Sequence, residues 1–244
     1  MFGDRPLPWV DSWAHLGNDL DRTDLCLQRK SSLYKDANQK RMKFIGKFYS
    51  LRQEFGFCDH DIFFNILNIY ATSFYGSNLW LFSGPSCERL FKSWNIMIRN
   101  VWNLPNTTHK YFIEQISESP HLKTILCQRF LTFIQSLLNS KKKCLSQLAR
   151  KMVMDQGSIS GKNLNFVSTH SGYPSYSILK MSPRAVLSEL KFYPVPEDSA
   201  WKVNLLKELI SLRDCDDVHI ESQTGQEFLT KEEIQDLIAL VSTN

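Results

Sequence analysis

The chain has 244 residues, of which 43% are hydrophobic and 22% charged, with a formal net charge of +4. These values are ordinary for a globular protein of one or two domains and argue against an intrinsically disordered chain. The six cysteines stand singly, and the first residues lack the basic and apolar regions of a secretory signal. We therefore expect a cytoplasmic or nuclear protein with reduced thiols, not a secreted one.

Charge is distributed unevenly along the sequence. Residues 22–52 contain nine Lys or Arg against two Asp or Glu, and residues 89–151 contain eleven against two. Residues 197–244 show the reverse, with four basic against eleven acidic residues. Basic sections of this strength favour an anionic partner such as nucleic acid, although solvated helix faces would produce the same pattern.

The first fifty residues contain two different patterns. Prolines and glycines interrupt any helix in residues 1–20, so this part is predicted to form at most a short β-hairpin. An isolated hairpin is barely stable by itself and would need other elements to pack on. A long basic helix is predicted to follow, from Leu25 to about Tyr49.

The stretch 61–102 carries the strongest apolar signal. No charge occurs between Ile62 and Cys87, a length that could cross a bilayer, but its many polar side chains would each need a partner in lipid. A buried helix in an all-α core, joined at Gly84-Pro85 to an amphipathic helix, is the better interpretation. The apolar face of that second helix consists of Leu90, Phe91, Trp94, Met97, Ile98, Val101 and Trp102.

The rest of the chain alternates helices with breaks. A clear helical pattern covers 121–139, and an amphipathic piece follows up to Val153. Residues 155–181, rich in Gly and Ser, are predicted to be a polar linker. In the last helix, Thr230 and Glu233 form a capping box, and Asp59 or Asp61 can cap the central helix.

These elements predict a mainly α fold. We divide the chain into a hairpin at 1–20, a basic helical bundle at 21–154, the polar linker at 155–181 and an acidic helical tail at 182–244.

Motifs for catalysis or metal binding lack the required spacing. Cys58-Asp59-His60 and residues 215–219 each place potential ligands together, but neither shows the two separated pairs of a zinc site. The pair Asp216-Asp217 lies in an acidic loop, without the hydrophobic strand that precedes the paired carboxylates of polymerases. We expect no metal, no cofactor and no small-molecule substrate in this chain, and no membrane partner.

Short motifs follow one another along the sequence in a distinctive order. They are Trp-Ala-His-Leu-Gly-Asn-Asp-Leu at 13–20, Ala-Asn at 37–38, Tyr-Ala-Thr-Ser-Phe-Tyr-Gly-Ser-Asn-Leu-Trp at 70–80, Ser-Trp at 93–94, Ile-Arg-Asn-Val-Trp-Asn-Leu-Pro at 98–105, Thr-His at 108–109, Arg-Phe at 129–130 with Phe133, and Gly-Lys-Asn-Leu at 161–164. Together they resemble the region downstream of the catalytic palm in reverse transcriptases of non-LTR (LINE, jockey-like) retrotransposons. The resemblance covers nearly the whole chain, most closely residues 13–138.

The resemblance implies a primer grip at His15, Leu16 and Gly17, followed by a thumb-like helical bundle that holds the template–primer duplex. The fingers, the palm and its Asp-Asp motif have no counterpart in this sequence, so no catalytic residue is predicted, and Mg²⁺ is implied only for the missing palm. From the resemblance and the charge pattern, the candidate nucleic-acid contacts are Arg29, Lys30, Lys40, Arg41, Lys43, Lys47, Arg99, Lys141, Lys142 and Lys143.

The predicted function is that of a non-catalytic fragment that holds RNA–DNA hybrid or DNA duplex through its phosphates. Two alternatives stay open at this point. The chain could be part of a longer, active RNA-directed DNA polymerase, which a strand-turn-strand with x-Asp-Asp upstream of Met1 would favour. It could also be a helical protein-interaction module or a degenerate relic.

Overall fold

The computed structural model describes residues 12–15, 18–21, 32–215 and 229–243, and these are mainly helical, as predicted. Single 3-10 turns lie at Ser77–Leu79 and Glu197–Ser199. The α-helices are α1 (Ser32–Phe55), α2 (His60–Ala71), α3 (Pro85–Val101), α4 (Lys110–Ser117), α5 (Leu122–Leu138), α6 (Lys143–Met154), α7 (Ile159–Ser171), α8 (Ser175–Ile178), α9 (Pro183–Leu187), α10 (Ala200–Asp214) and α11 (Lys231–Thr243).

Two short strands precede the helices. Strand β1 (Ser12–His15) pairs antiparallel with β2 (Asn18–Asp21), with His15 opposite Asn18. The other residues of the segment 1–20 lie outside the described part of the chain, so the predicted hairpin as a whole stays a prediction.

The core is centred on α1 and α3. The Phe44 ring stacks on Trp94 at a centroid distance of 5.5 Å, and Phe64 of α2 lies 5.0 Å from Trp102. All seven residues predicted for the apolar face of α3 are buried, which confirms that prediction. Buried apolar side chains from α1 through α11 belong to one continuous cluster.

Helix α1 extends further than the sequence pattern indicates. It ends at Phe55 rather than near Tyr49, because Leu51 and Phe55 also pack against the core. The part of the predicted helix before residue 32 lies outside the described residues.

Helix α2 is shorter and less buried than predicted. It ends at Ala71, and residues 72–84 form turns, one of which places Gly76 at φ 79°, a left-handed conformation that favours glycine. Phe63 and Leu67 face the core, but Ile62 and Ile69 are 55% and 71% exposed. The prediction of a buried helix therefore holds for only one side of α2. Among the described residues, no helix is both long and apolar enough to cross a bilayer.

The prediction of a polar linker at 155–181 is wrong, because this segment contains α7 and α8. Leu164 and Val167 of α7 are buried in the common core cluster. Ser158 caps α7 by accepting a hydrogen bond from the Gly161 amide at 2.9 Å. A Cβ on Gly161 would collide with the carbonyl oxygen of Asp155. Ser and Gly residues suggested a loop here, but Ser158 caps the helix and Gly161 allows the backbone of α7 to lie close to the Asp155 carbonyl.

The predicted helix caps are confirmed where the sequence signal was local. The Asp59 carboxylate accepts from the Asp61 amide at 2.8 Å at the start of α2. In the capping box, the Glu233 amide donates to Thr230 Oγ1 at 3.2 Å, and the Thr230 amide donates to Glu233 Oε2 at 2.7 Å.

Candidate nucleic-acid interface

The cations of α1 lie on and beside its outer face. Lys43 and Lys47 are exposed, whereas Lys40 and Arg41 are half-buried. No acidic residue occurs in the sequence between Asp36, which is buried, and Glu54. Arg29 and Lys30, also predicted as contacts, lie outside the described residues.

Arg41 connects this helix to α3. Its Nε donates to Asn38 Oδ1 at 3.2 Å, and its Nη1 lies 3.4 Å from Ser93 Oγ. Ser93 in turn donates to the carbonyl of Arg89 at 3.0 Å, one turn earlier on α3. The side chains of Arg89 and Lys92 are exposed. Together these cations make up what we call the α1–α3 basic surface: Lys40, Arg41, Lys43, Lys47, Arg89 and Lys92.

On the other flank of α1, Lys47 reaches α2. Its Nζ donates to the carbonyl oxygen of Tyr70 at 2.8 Å. Tyr70 is in the last turn of α2, where the helix dipole favours a cation. The α1–α3 basic surface therefore has positive charge on both sides of the outer face of α1.

Gly46 lies on that outer face between the two flanks. It is exposed in the middle of α1, and a Cβ built on it would have nothing within 4 Å. The folded chain itself therefore gives no steric reason for a glycine here. A bare backbone at this point would allow a ligand to approach the helix closely.

We expect Gly46→Ala to stabilise the isolated protein by about 0.5–1 kcal/mol, because Ala is the better helix former and the added methyl meets open space. Urea unfolding of the two proteins would measure the difference. Gly161→Ala is the contrasting variant, since its methyl would collide with the Asp155 carbonyl, and it should be destabilising. A loss of stability in Gly46→Ala would contradict the open surface at this position.

Arg99 is not at the surface, contrary to its prediction as a nucleic-acid contact. Its side chain is 8% exposed, and its Nε and Nη2 donate to the carbonyl of Thr108 at 3.1 and 2.6 Å. Burial lowers the pKa of the Arg99 guanidinium from its usual value. Thr108 Oγ1 in turn donates to Ser242 Oγ at 3.1 Å, so Arg99 supports the loop onto which the end of α11 packs. Its role is structural.

The three lysines at 141–143 are exposed and lie at the start of α6. Helix α5 ends at Leu138, and Lys142 is the N-cap residue of α6. Cations at a helix N-terminus are disfavoured by the dipole, so the fold gains nothing from their charge. They remain candidate contacts, separate from the α1–α3 basic surface.

The predicted primer-grip residues fall mostly outside the described chain. His15 is the last residue of β1 and lies opposite Asn18. Leu16 and Gly17 lie outside the described residues, so the grip stays a prediction.

Two motifs of the family resemblance meet in the interior. Asn163 of α7 belongs to the Gly-Lys-Asn-Leu motif and is fully buried. It lies beside the backbone of residues 80–82, where the 70–80 motif ends. Its Nδ2 donates to the carbonyl of Trp80 at 2.7 Å, and its Oδ1 accepts from the Phe82 amide at 3.0 Å. The Trp80 indole donates to Asp36 Oδ2 at 2.7 Å. The segment 80–82 thereby ties α1 to α7.

An open groove of about 1080 Å³ lies between the turn at 73–79 and α5. Arg129, which lines it, donates to the carbonyls of Thr72 and Phe74 at 3.1 and 3.2 Å, so this cation holds the turn against α5. None of the lining residues is a carboxylate or a histidine, and the groove therefore offers no acid–base pair for catalysis.

His60, from the first segment with potential metal ligands, contacts the residue just before the second segment. His60 Nε2 lies 3.0 Å from Asp214 Oδ2, and the other oxygen of this carboxylate accepts from Arg213 Nε at 2.8 Å. Within the described part of the chain, no group of three or more His, Cys, Asp or Glu could hold a metal ion. Residues 216–219 lie outside that part. The contact joins α2 to the end of α10.

A buried histidine that the sequence analysis did not single out caps α5. His121 Nδ1 accepts a hydrogen bond from the Lys123 amide at 3.1 Å. In the neutral ring the proton is therefore on Nε2, which donates to Asn95 Oδ1 at 2.9 Å. Burial, followed by the nearby charges of Lys123 and Lys110, lowers the pKa of His121 to about 3. The residue is therefore neutral in the folded protein.

This histidine is expected to reduce stability in acid. In the unfolded chain His121 titrates near 6.5, so between pH 6.5 and about 3 the unfolded state binds a proton that the folded state excludes. The free energy of unfolding should fall by about 2 kcal/mol from pH 7 to 4.5 because of this residue.

Denaturant unfolding at the two pH values, on wild type and His121→Asn, isolates the contribution of His121. Asparagine can cap the helix but does not titrate, so the variant should lose less stability over the same pH interval. Equal losses in the two proteins would contradict the buried neutral histidine.

Comparison with known proteins found no similar protein. No protein-family model matches this sequence, and neither the curated proteins nor the solved structures provide a match. The candidate interface therefore rests on its own side chains and on the motif resemblance.

Proposed function

We propose that this chain binds RNA–DNA hybrid or DNA duplex through the α1–α3 basic surface, and that it has no catalytic role of its own. The observation that carries the proposal is the convergence of cations from two helices, through the Arg41–Ser93 contact, around the part of α1 between Asp36 and Glu54, which contains no acidic residue. Contacts of this kind neutralise phosphates and read little sequence.

The shape of the surface supports a duplex as the ligand. Lys47 stands on the α2 side of α1, and Arg41 with Arg89 stands on the α3 side. Between them, the exposed Gly46 leaves the helix backbone accessible. A rod-like polyanion lying across α1 could thus approach closely at the centre and meet cations at both flanks.

The family resemblance supports the same partner. Asn163 of the 161–164 motif meets Trp80 of the 70–80 motif, 83 residues earlier, through a buried hydrogen bond, and Trp80 in turn bonds to Asp36 of α1. In this proposal they form the scaffold of a thumb-like bundle, and the basic surface of α1 is what the scaffold presents. A duplex partner also fits a cytoplasmic or nuclear location.

The test is the affinity for a fluorescently labelled RNA–DNA hybrid, measured by anisotropy at one fixed salt concentration. Neutralising Lys43, Lys47, Arg89 and Lys92 to Gln in one protein should weaken binding at least ~30-fold, since each cation that no longer meets a phosphate removes a counterion-release contribution. These four residues are exposed, so the fold should persist.

A matched control removes four other exposed cations, again three lysines and one arginine: Lys162, Lys180, Arg184 and Lys191. This control has the same net charge as the first variant and should bind within about threefold of wild type. If both variants lose affinity equally, binding follows net charge and the α1–α3 basic surface is not the site. If neither does, the cations at 141–143 become the next candidates.

A further inference from the structure

Tyr193 lies in the segment that connects α9 to α10, and two helices each place a cation at its ring. The ammonium groups of Lys110 of α4 and Lys123 of α5 are both 5.4 Å from the ring centroid. One cation over an aromatic ring is a common stabilising contact. A second cation at the same ring adds repulsion between the two ammonium groups, so packing alone does not account for the pair.

Neither ammonium group has a hydrogen-bond acceptor in the described part of the chain. The Lys123 side chain is only 12% exposed, and the Glu88 carboxylate with which it pairs lies 3.7 Å away, too far for a hydrogen bond. Three aromatic rings, including that of Tyr193, lie 5.1–5.6 Å from the same ammonium. Lys110 is exposed, and no described carboxylate forms an ion pair with it. Because each ammonium can donate three hydrogen bonds, the pair offers several donors to an anion at this point.

The Tyr193 hydroxyl is also without a hydrogen-bond partner among the described residues. The side chain is half-buried, and its hydroxyl is in contact with solvent. The neighbouring Lys191, Pro194 and Pro196 are exposed. The two prolines restrict the backbone around them to extended conformations. An enzyme that modifies the hydroxyl would therefore meet an exposed and extended piece of chain.

We propose that Tyr193 is a phosphorylation site and that Lys110 and Lys123 bind its phosphate from α4 and α5. A protein tyrosine kinase transfers the γ-phosphoryl group of ATP to the phenolic oxygen. The new oxygen–phosphorus bond replaces the bond to the β-phosphate, ADP leaves, and the phenolic proton passes to the base of the kinase. The product carries close to two negative charges and three acceptor oxygens, which are the groups that the two ammonium ions lack.

The two carboxylates of this neighbourhood do not take the place of the phosphate. Glu88 stays 3.7 Å from Lys123, and its side chain is 47% exposed. Glu114 accepts a hydrogen bond from the His121 amide, and burial raises the pKa of this carboxyl. A phosphate on Tyr193 would join α4, α5 and the connection to α10 at one point, and should stabilise that connection.

The first experiment asks whether the folded full chain is modified at Tyr193. It uses ATP and a tyrosine kinase chosen because it phosphorylates a free peptide of residues 186–200. Peptide mass spectrometry should then locate a phosphate at Tyr193 of the folded protein. Modification of the peptide without modification of Tyr193 in the folded chain would overturn the proposal.

The second experiment measures what the phosphate contacts. A phosphate held by two ammonium groups should raise Tm by at least ~3 °C, and Tyr193→Phe treated with the same kinase should lack this increase. In Lys110→Gln the increase should fall to about half or less. Lys180→Gln is the matched control, because it removes one exposed lysine elsewhere in the chain and should keep the full increase. Equal increases in the two lysine variants, or none in wild type, would contradict the proposed contacts.

Inorganic phosphate distinguishes a bound ion from a covalent phosphate. At ~20 mM it should change the Tm of unmodified wild type and of unmodified Lys110→Gln alike, since excluded salts stabilise proteins in general. If it raises the Tm of wild type as much as the kinase does and leaves Lys110→Gln unchanged, the site binds a free anion. That result would overturn the assignment of Tyr193 as a modified residue.

Discussion

Asn163→Leu is expected to destabilise the protein by about 3–4 kcal/mol, one of the two largest effects anticipated for a single substitution here. Leucine has the same number and branching of side-chain heavy atoms as asparagine, but it cannot donate to the Trp80 carbonyl or accept from the Phe82 amide. Both backbone groups would then be buried without a partner, at a cost of roughly 1–3 kcal/mol each.

Urea unfolding measures this effect, and a second position on α7 provides the control. Asn165 is exposed on the same helix, so Asn165→Leu should change stability by no more than about 0.5 kcal/mol. If Asn163→Leu were as mild as the control, the 80–82 segment would not depend on α7. The hydrogen bonds between the two sequence motifs would then contribute little to the free energy of unfolding.

Arg99→Met is expected to destabilise the protein by about 3 kcal/mol. Methionine preserves much of the apolar volume, but the Thr108 carbonyl, which accepts two hydrogen bonds from the guanidinium, loses both. The loop that follows also receives the end of α11, since the His109 amide donates to the Ser242 carbonyl at 3.0 Å. Loosening the loop should therefore loosen α11.

Hydrogen exchange and urea unfolding together separate the local effect from the global one. Amides of α11 should exchange faster in Arg99→Met, while Lys92→Met, at an exposed position on the same helix, should leave both exchange and stability nearly unchanged. Normal stability of Arg99→Met would contradict a structural role, and the predicted nucleic-acid contact would have to be reconsidered.

Periodicity predicted the parts of the fold that depend on neighbouring residues. The apolar face of α3 and the capping box at Thr230 could be deduced from spacing alone, because the groups that stabilise them lie within one or two turns. The same reasoning failed for α7, where Gly161 fits against a carbonyl six residues earlier and only the folded backbone shows why.

The candidate site shows the same limit. The sequence places Arg89, Lys92, Asn95 and Arg99 alike off the apolar face of α3. The structure separates them, because His121 and Thr108 provide buried partners for Asn95 and Arg99, whereas Arg89 and Lys92 stay exposed. Such long-range partners leave no local signal. The absence of charge between Ile62 and Cys87 similarly suggests burial, although an exposed apolar face produces the same pattern.

The salt dependence of hybrid binding by the wild-type protein tests the central proposal most directly. If the α1–α3 basic surface contacts about five phosphates, a plot of log affinity against log salt concentration should have a slope of about −4.5. In the variant with Gln at 43, 47, 89 and 92, the slope should be shallower by about one for each replaced cation that binds a phosphate in the wild type. A wild-type slope near zero, or no binding at low salt, would contradict phosphate-based duplex binding by this chain.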